Sequence, residues 1–136
     1  MTRNGISAKI LLFFCKHNIP VVSRLIRIVF NSDIYCAIPR GLHLPHPYGI
    51  VIHSKCEIGA HVTIMQQVTI GGNHTAAGSF VPNIGDDVFI GAGAKVLGAV
   101  RIGHGAIIGA NAVVTRNVPA HCTVVGANRI IRSKND

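Results

Sequence analysis

Apolar residues recur along this chain with a period of six. The same apolar position returns at every sixth residue over 34–70 and again over 84–114. Eleven of these thirteen positions are Ile or Val, and the exceptions are Arg40 and His46. A helix would repeat every 3.6 residues and a half-buried strand every two. The six-residue period instead predicts a parallel β-helix, in which three units close one triangular coil.

Two further features of the repeat support this fold. A second apolar residue lies four residues after every repeated position except Ile70. Glycine often lies one residue after the repeated position, at Gly59, Gly71, Gly85, Gly91, Gly103 and Gly109. Large β-branched residues would fill the interior while glycine permits the bends. The register breaks once, because residues 70 and 84 lie fourteen apart rather than twelve. The intervening segment 71–83 is rich in glycine and polar residues, which predicts a loop leaving the coil.

The region before the repeat has helical spacing instead. Its apolar residues fall on two stripes on either side of Pro20, namely Ile6, Ile10, Phe13 and Phe14, then Val22, Leu25, Ile26 and Val29. We expect two short helices that cap the first coil. The region also carries five basic residues and no acid before Asp33, so a peripheral membrane contact is the alternative. The predicted organisation is a helical cap (1–32), a β-helix (33–128) with a protruding loop (71–83), and a basic tail (129–136).

Composition narrows the classes of partner. The formal charge of +8 favours an anionic binding partner, such as nucleic acid, an anionic membrane or a phosphorylated ligand. A basic binding module without catalysis is therefore one candidate, but two Tyr, five Phe and no Trp give it no stacking platform for bases. Four dispersed cysteines without a CxxC pair suggest a reduced, intracellular chain. No apolar stretch reaches the roughly 18 residues of a membrane span, so the expected location is cytoplasmic, with the inner membrane face as a possibility.

Four segments of the repeat resemble the serine acetyltransferases and related enzymes that acetylate sugars. They are LPHPYGIVI (44–52), QVTIGG (67–72), IGAGAKVLG (90–98) and VPAHCTVVGA (118–127). The resemblance covers roughly residues 33–131. It implies a left-handed parallel β-helix, a homotrimer, and transfer of an acetyl group from acetyl-CoA to a hydroxyl.

His46 matches the catalytic histidine of that family, and the resemblance makes it the candidate general base. An alcohol is a poor nucleophile towards a thioester, and an imidazole can take its proton near neutral pH. The competing interpretation is structural, because His46 occupies a repeated position whose register would point the ring inward. Pro45 and Pro47 would distort the strand and could turn the ring outward.

Two departures from the serine enzymes bear on the acceptor. Pro45 stands where those enzymes have an acid before the histidine, and segment 80–82 (Phe-Val-Pro) stands where they have Arg-His-Pro. His74 and Asp33 are candidates for the missing catalytic support. Acidic side chains would hold a serine ammonium, so their loss favours a sugar hydroxyl, as in polysaccharide biosynthesis. Serine remains the alternative acceptor.

The family binds acetyl-CoA along the groove between neighbouring subunits, mostly through backbone. The matching positions here are the small residues Gly72, Ala92 and Ala110. Three cations could meet its phosphates or could instead form a solvated basic edge, namely Lys95, Arg129 and Arg132.

The other histidines lack a short ligand spacing. They are His43, His53, His61, His104 and His121, in different coils. Zinc carbonic anhydrases of another β-helix class assemble three histidines across a trimer interface, so a zinc enzyme is an alternative. No residue pattern specifically indicates a metal, and we expect none.

Overall fold

The computed structural model describes residues 4–17, 20–75 and 78–132 of the chain. Two helices come first, α1 (Ile6–His17) and α2 (Pro20–Phe30). Short strands follow: β1 (Asp33–Ile34), β2 (Val51–Ile52), β3 (Glu57–Ile58), β4 (Thr63–Ile64), β5 (Thr69–Gly71), β6 (Asn73–Thr75), β7 (Gly78–Phe80), β8 (Asn83–Ile84), β9 (Phe89–Ile90), β10 (Lys95–Leu97), β11 (Arg101–Ile102), β12 (Ile107–Ile108), β13 (Val113–Val114), β14 (Thr123–Val125) and β15 (Arg129–Ile131).

The strands form three sheets that run along a prism. The first sheet has the order β1-β2-β5-β10-β13 and the second has β11-β8-β3. The third has β15-β14-β12-β9-β4, and every pair in these sheets is parallel except β14 with β15. From β2 to β5 and again from β8 to β13, strands that follow one another along the chain belong to different sheets, so each turn of chain there visits all three. This is the parallel β-helix that the six-residue period predicts.

Two apolar side chains per six-residue unit fill the interior. Ile64, Ile90 and Ile108 stack in the third sheet with no exposed surface, and Val62 and Val68 are equally enclosed. Their outward neighbours, such as Phe89 and Ile107, stay exposed. Burial of this apolar column, at roughly 25 cal/mol per Å², is the main force that holds the coils together.

The predicted loop contains an antiparallel hairpin. β6 and β7 pair through Asn73–Phe80 and Thr75–Gly78, and the chain re-enters the second sheet at β8. A Cβ at Gly72 would collide with the Phe80 carbonyl, so the foot of the hairpin requires glycine.

Both predicted helices are present, and α1 contacts the first coil. Ala8 and Leu11 are fully buried in the same apolar cluster as the coils. Asn4 completes the contact, since its amide donates to the Leu42 carbonyl (2.6 Å) and its oxygen accepts from the Leu44 N–H (2.8 Å). No helix among the residues that the structure describes is long and apolar enough to cross a bilayer.

Candidate active site

The segment around His46 departs from the regular coil. In the third sheet His43 bridges to Thr63, so Leu44 takes the inward place that Ile64 takes one coil later. At the next corner the Tyr48 carbonyl accepts from the Gln67 N–H, so Tyr48 lies over Gln66. Three residues therefore lie between Leu44 and Tyr48, where one residue lies between Ile64 and Gln66 in the next coil. The two additional residues form a bulge, here called the His46 bulge (residues 45–47).

The bulge places the histidine outside the coil. His46 is exposed, whereas Leu44 is fully buried in its stead. The interpretation of His46 as an inward structural residue is therefore wrong. The period failed here because the register shifts by two residues, and the flanking prolines cannot both serve as regular strand residues. Arg40, the other exception to the apolar pattern, is exposed as well.

Three hydrogen bonds fix the shape of the bulge. The Tyr48 N–H donates to the His46 carbonyl (2.8 Å), which closes a tight turn on Pro47. The buried Ser32 hydroxyl lies 3.0 Å from the Pro47 carbonyl and accepts from the Ile50 N–H (3.0 Å). Ser32 thus ties the bulge to the end of α2 and to the first sheet.

His46 lines an open groove of about 500 Å³. The other lining residues are Val29, Phe30, Asn31, Tyr48, Gly49, Gln66, Gln67 and Lys95. The Lys95 ammonium donates to the Gln67 carbonyl (2.8 Å), which fixes its position in the groove. The Gln66 side-chain oxygen is buried and has no hydrogen-bond partner among the described residues. The groove therefore offers an imidazole and a cation within one concave surface, and a buried acceptor without a partner among the described residues lies beside it.

The same corner of the prism continues into the later coils. The Gly93 N–H donates to the Gln66 carbonyl (2.9 Å) and the Asn111 N–H donates to the Ala92 carbonyl (2.8 Å). Gln66, Ala92 and Ala110 therefore stack along the corner that begins at Tyr48. We call it the His46 corner. Two of the positions predicted to lie against acetyl-CoA, Ala92 and Ala110, share this corner with His46.

Gly72 lies elsewhere in the single chain. It lies at the other end of the strands of the first sheet, just after β5. A smaller groove of about 350 Å³ lies there, lined by Gly71, Gly72, Leu97, Gly98 and Thr115. Since β5 runs between Gln67 and Gly72, one chain does not bring His46 and Gly72 into one groove. The hairpin by itself requires a glycine at position 72, so the predicted contact of Gly72 with acetyl-CoA stays a prediction.

The remaining predicted residues are not gathered around His46. Asp33 lines a neighbouring groove of about 590 Å³ with Arg24, Arg27 and Tyr35, and no hydrogen bond of the described residues joins it to His46. Only the backbone of His74 is described, within β6, so its side chain lies outside the described residues. Arg129 in β15 and the following Arg132 are exposed on the last coil. Their predicted roles stay predictions.

The thiols are unsuited to nucleophilic catalysis. Burial raises the pKa of the Cys36 thiol to about 12 and that of the Cys56 thiol to about 11, and it also raises the pKa of Cys15. These side chains stay protonated near neutral pH, and a protonated thiol is a weak nucleophile. Direct transfer, without a covalent intermediate on these three thiols, is the chemistry that fits.

No cluster of metal ligands in the described part of one chain supports the alternative of a zinc enzyme. There, no group of three or more His, Cys, Asp and Glu side chains could hold a metal ion. The nearest approach is His104, whose ring lies 5.1 Å from that of His121 and whose Nδ1 lies 3.6 Å from Asp87.

Sequence reasoning missed Ser32, Gln66 and Gln67. Ser32 and Gln66 belong to no segment with an obvious chemical pattern, and Gln67 opens the QVTIGG segment (67–72) without having been given a role; the importance of all three depends on the bulge. The pair of glutamines just before the inward Val68 was the one available signal, since polar residues there must occupy a corner.

Comparison with known proteins agrees with this fold. Residues 82–116 match the family model "Bacterial transferase hexapeptide (six repeats)". A serine acetyltransferase of Bacillus pumilus (strain SAFR-032) is 44% identical over 108 residues, which are 78% of this chain and 50% of that protein. The chain spans about half the length of the curated relatives it matches.

Solved structures show the same similarity. The serine acetyltransferase of Brucella abortus strain S19 in complex with coenzyme A has a TM-score of 0.77 and 30% identity, covering 93% of this chain and 54% of that one. The soybean serine acetyltransferase complexed with serine has a TM-score of 0.75 and 34% identity, covering 92% and 56%. The agreement with these structures implies the left hand expected for the β-helix.

The repeat and the coils define a hexapeptide-repeat protein. Residues 82–116 carry the repeat of the bacterial hexapeptide transferases, and the chain as a whole resembles the serine acetyltransferases.

Proposed function

We propose that this chain is an acetyl-CoA-dependent O-acetyltransferase with His46 as its general base. The observation that carries the proposal is the His46 bulge. It presents the imidazole in a groove at the start of the His46 corner, along which Ala92 and Ala110 follow. The similarity to serine acetyltransferases, one of them in complex with coenzyme A, supports acetyl-CoA as donor.

In the proposed reaction the acceptor hydroxyl lies against the His46 imidazole. The unprotonated ring nitrogen takes the hydroxyl proton as the oxygen attacks the thioester carbonyl. The tetrahedral oxyanion then collapses and expels the coenzyme A thiolate, which receives the proton from the imidazolium. The products are an acetyl ester and free coenzyme A, and the histidine is restored.

Serine is the first acceptor we propose. The comparisons do not support the expectation of a sugar acceptor, because the matched relatives are serine acetyltransferases at up to 44% identity. The Gln66 side-chain oxygen could receive a hydrogen bond from the serine ammonium in place of an acid, since it is buried beside the groove without a partner in the described residues.

A sugar hydroxyl is the second candidate, on one observation. Pro45 replaces the family's acid, and Val81 packs against the apolar core where the family has its second histidine. Both changes remove groups that would bind a charged amino acid. A neutral acceptor needs neither group.

We also propose that the protein is a trimer in which the helices cap the first coil. The exposed apolar side chains on the prism faces support an interface between copies, in particular Val51, Phe89, Leu97 and Ile107. Such an interface would bring the Gly72 corner of one chain towards the His46 corner of the next. Asn4 and the buried Ala8 and Leu11 support the cap.

The test is release of free thiol from acetyl-CoA with serine and with a panel of sugars and nucleotide-sugars. We expect release with serine, and about a hundredfold less or lower still in His46→Ala. His104→Ala is the matched control, since it removes an exposed imidazole from a different corner. Release with a sugar but not serine would select the second candidate. Full activity in His46→Ala would remove His46 from the mechanism.

A further inference from the structure

The outer face of the N-terminal helices is apolar and uncovered. Six side chains on it are each more than half exposed, although all are large and apolar. This surface, called the helical face, consists of Ile6, Phe13, Val21, Leu25, Ile28 and Val29. On each helix these side chains fall on one stripe, and an exposed apolar stripe of this kind marks a contact with a partner or a membrane.

Basic residues border this face on both helices. At about 100° per residue, Lys9 and Lys16 fall on one side of Phe13 along α1. By the same spacing Arg24 lies directly beside Ile28 on α2. No acidic residue precedes Asp33 in the sequence. The helices therefore combine an apolar stripe with a purely cationic margin, which is the pattern of helices that lie in a membrane interface.

A groove continues the cationic margin. Arg24 and Arg27 line the space of about 590 Å³ next to Ile28, together with the single carboxylate of Asp33, and the Arg27 guanidinium stacks over the Tyr35 ring at 4.8 Å. Stacking holds that guanidinium in place, and guanidinium groups fit phosphate oxygens in pairs. The groove is open beside the apolar stripe, where a lipid phosphate would lie if the stripe entered the acyl boundary.

We propose that the helical face docks on the surface of an anionic lipid bilayer. The apolar side chains enter the headgroup boundary, while Lys9, Lys16, Arg24 and Arg27 lie over lipid phosphates. Val29 belongs both to this face and to the wall of the His46 groove, so docking places that groove at the bilayer surface.

A second copy of the chain fits this face less well. Pairing two helical faces would cover the apolar stripe, but it would bring two cationic margins together with no acid on either helix to offset them. Like charges brought together in this way oppose association. An anionic bilayer supplies both the apolar medium and the opposite charge.

The test is sedimentation of the whole protein with lipid vesicles, which needs no acetyl transfer. We expect binding to phosphatidylcholine vesicles that contain phosphatidylglycerol, and little binding to phosphatidylcholine alone. The double variant Lys16→Gln/Arg24→Gln should bind about tenfold more weakly or worse. Its matched control is Arg101→Gln/Arg116→Gln, which loses the same charge from the coils and should change binding by no more than about twofold.

A second pair of variants tests the apolar part. Val21→Ser/Leu25→Ser should weaken vesicle binding about tenfold, whereas Ile130→Ser/Ile131→Ser removes exposed apolar residues from β15 and should not. Circular dichroism confirms that each variant is folded.

Three outcomes would overturn the proposal. The first is no binding to the anionic vesicles, and the second is an equal loss in either control. The third is a lipid-free assembly larger than a trimer that dissociates in Val21→Ser/Leu25→Ser, which would assign the face to a second copy. Because no outcome depends on turnover, a failure here leaves the acetyltransferase proposal intact, and the reverse also holds.

Discussion

In the third sheet, the first coil differs from the later coils at equivalent positions. At Ile64, Ile90 and Ile108 the chain turns an isoleucine inward, and each is fully buried. In the first coil Leu44 takes this place, and two additional residues push His46 outward before the corner is reached. A β-helix can therefore acquire a chemical group without altering its core, because the extra residues accommodate the change outside the packed interior. The rigid coils fix the position of the bulge, and the bulge carries the histidine that we propose as general base.

Core and bulge should respond in opposite ways to truncation. Ile108→Ala leaves a cavity among enclosed side chains and should lower the free energy of unfolding by about 2–5 kcal/mol. His46→Ala, at an exposed position, should change it by no more than about 0.5 kcal/mol while lowering turnover. Urea unfolding followed by circular dichroism measures both. A large loss of stability in His46→Ala would mean that the bulge is part of the core after all.

The difference between the regular coils and the bulge also shows which parts of the structure the sequence predicts. Every position from Ile52 to Val114 that the period marks as apolar is buried or half-buried, because each coil there repeats the same packing. The loop around residues 71–83 was signalled by the fourteen-residue step. The outward orientation of His46 was signalled only by the flanking Pro45 and Pro47, because Arg40 and His46 keep the six-residue spacing while the actual register moves by two.

The groove was less predictable than the coils. Its walls come from the end of α2, from the bulge and from two later corners, and no periodicity links these segments. The resemblance supplied His46, but Ser32 and Gln66 acquire their roles only from the three-dimensional register.

Ser32 provides a way to loosen the bulge without touching the groove. Ser32→Ala would leave the Ile50 N–H without its partner in a buried place, which should cost about 1–3 kcal/mol in the free energy of unfolding. It should also lower kcat with a smaller effect on KM for acetyl-CoA, because the groove remains while His46 is less firmly held. Ser54→Ala, at an exposed turn, is the control. Loss of stability with unchanged kcat would make Ser32 a structural residue only.

Lys95 tests whether the groove continues from the bulge into the donor site. Lys95→Met keeps the length of the side chain but removes the charge and the bond to the Gln67 carbonyl. If Lys95 meets a phosphate of acetyl-CoA, KM for acetyl-CoA should rise about tenfold, in line with the loss of one charge-assisted hydrogen bond. Lys55→Met, an exposed lysine of the second coil, is the control. An unchanged KM would assign Lys95 to the solvated edge.

The smallest expected effect concerns the two cysteine thiols that are buried in the first coils. Burial raises the pKa of Cys36 to about 12 and of Cys56 to about 11, above the 9.0 of an exposed thiol. The folded state therefore favours the protonated thiols, and this contribution to stability is complete below pH 9 and is lost as the pH rises towards 11–12.

Cys36→Ala/Cys56→Ala should be less stable at neutral pH because of the cavities it leaves. Its stability should nevertheless fall less between pH 9 and 11 than that of the unaltered protein, and urea unfolding at several pH values gives both slopes. Cys122→Ala serves as the control, because it removes a buried thiol from the last coil, away from the other two. Equal slopes in all three proteins would show that Cys36 and Cys56 ionise as readily in the folded chain as in the unfolded one. An interior that keeps these thiols protonated is one in which an imidazole could not exchange protons freely, and the position of His46 outside the coil suits the general base that we propose.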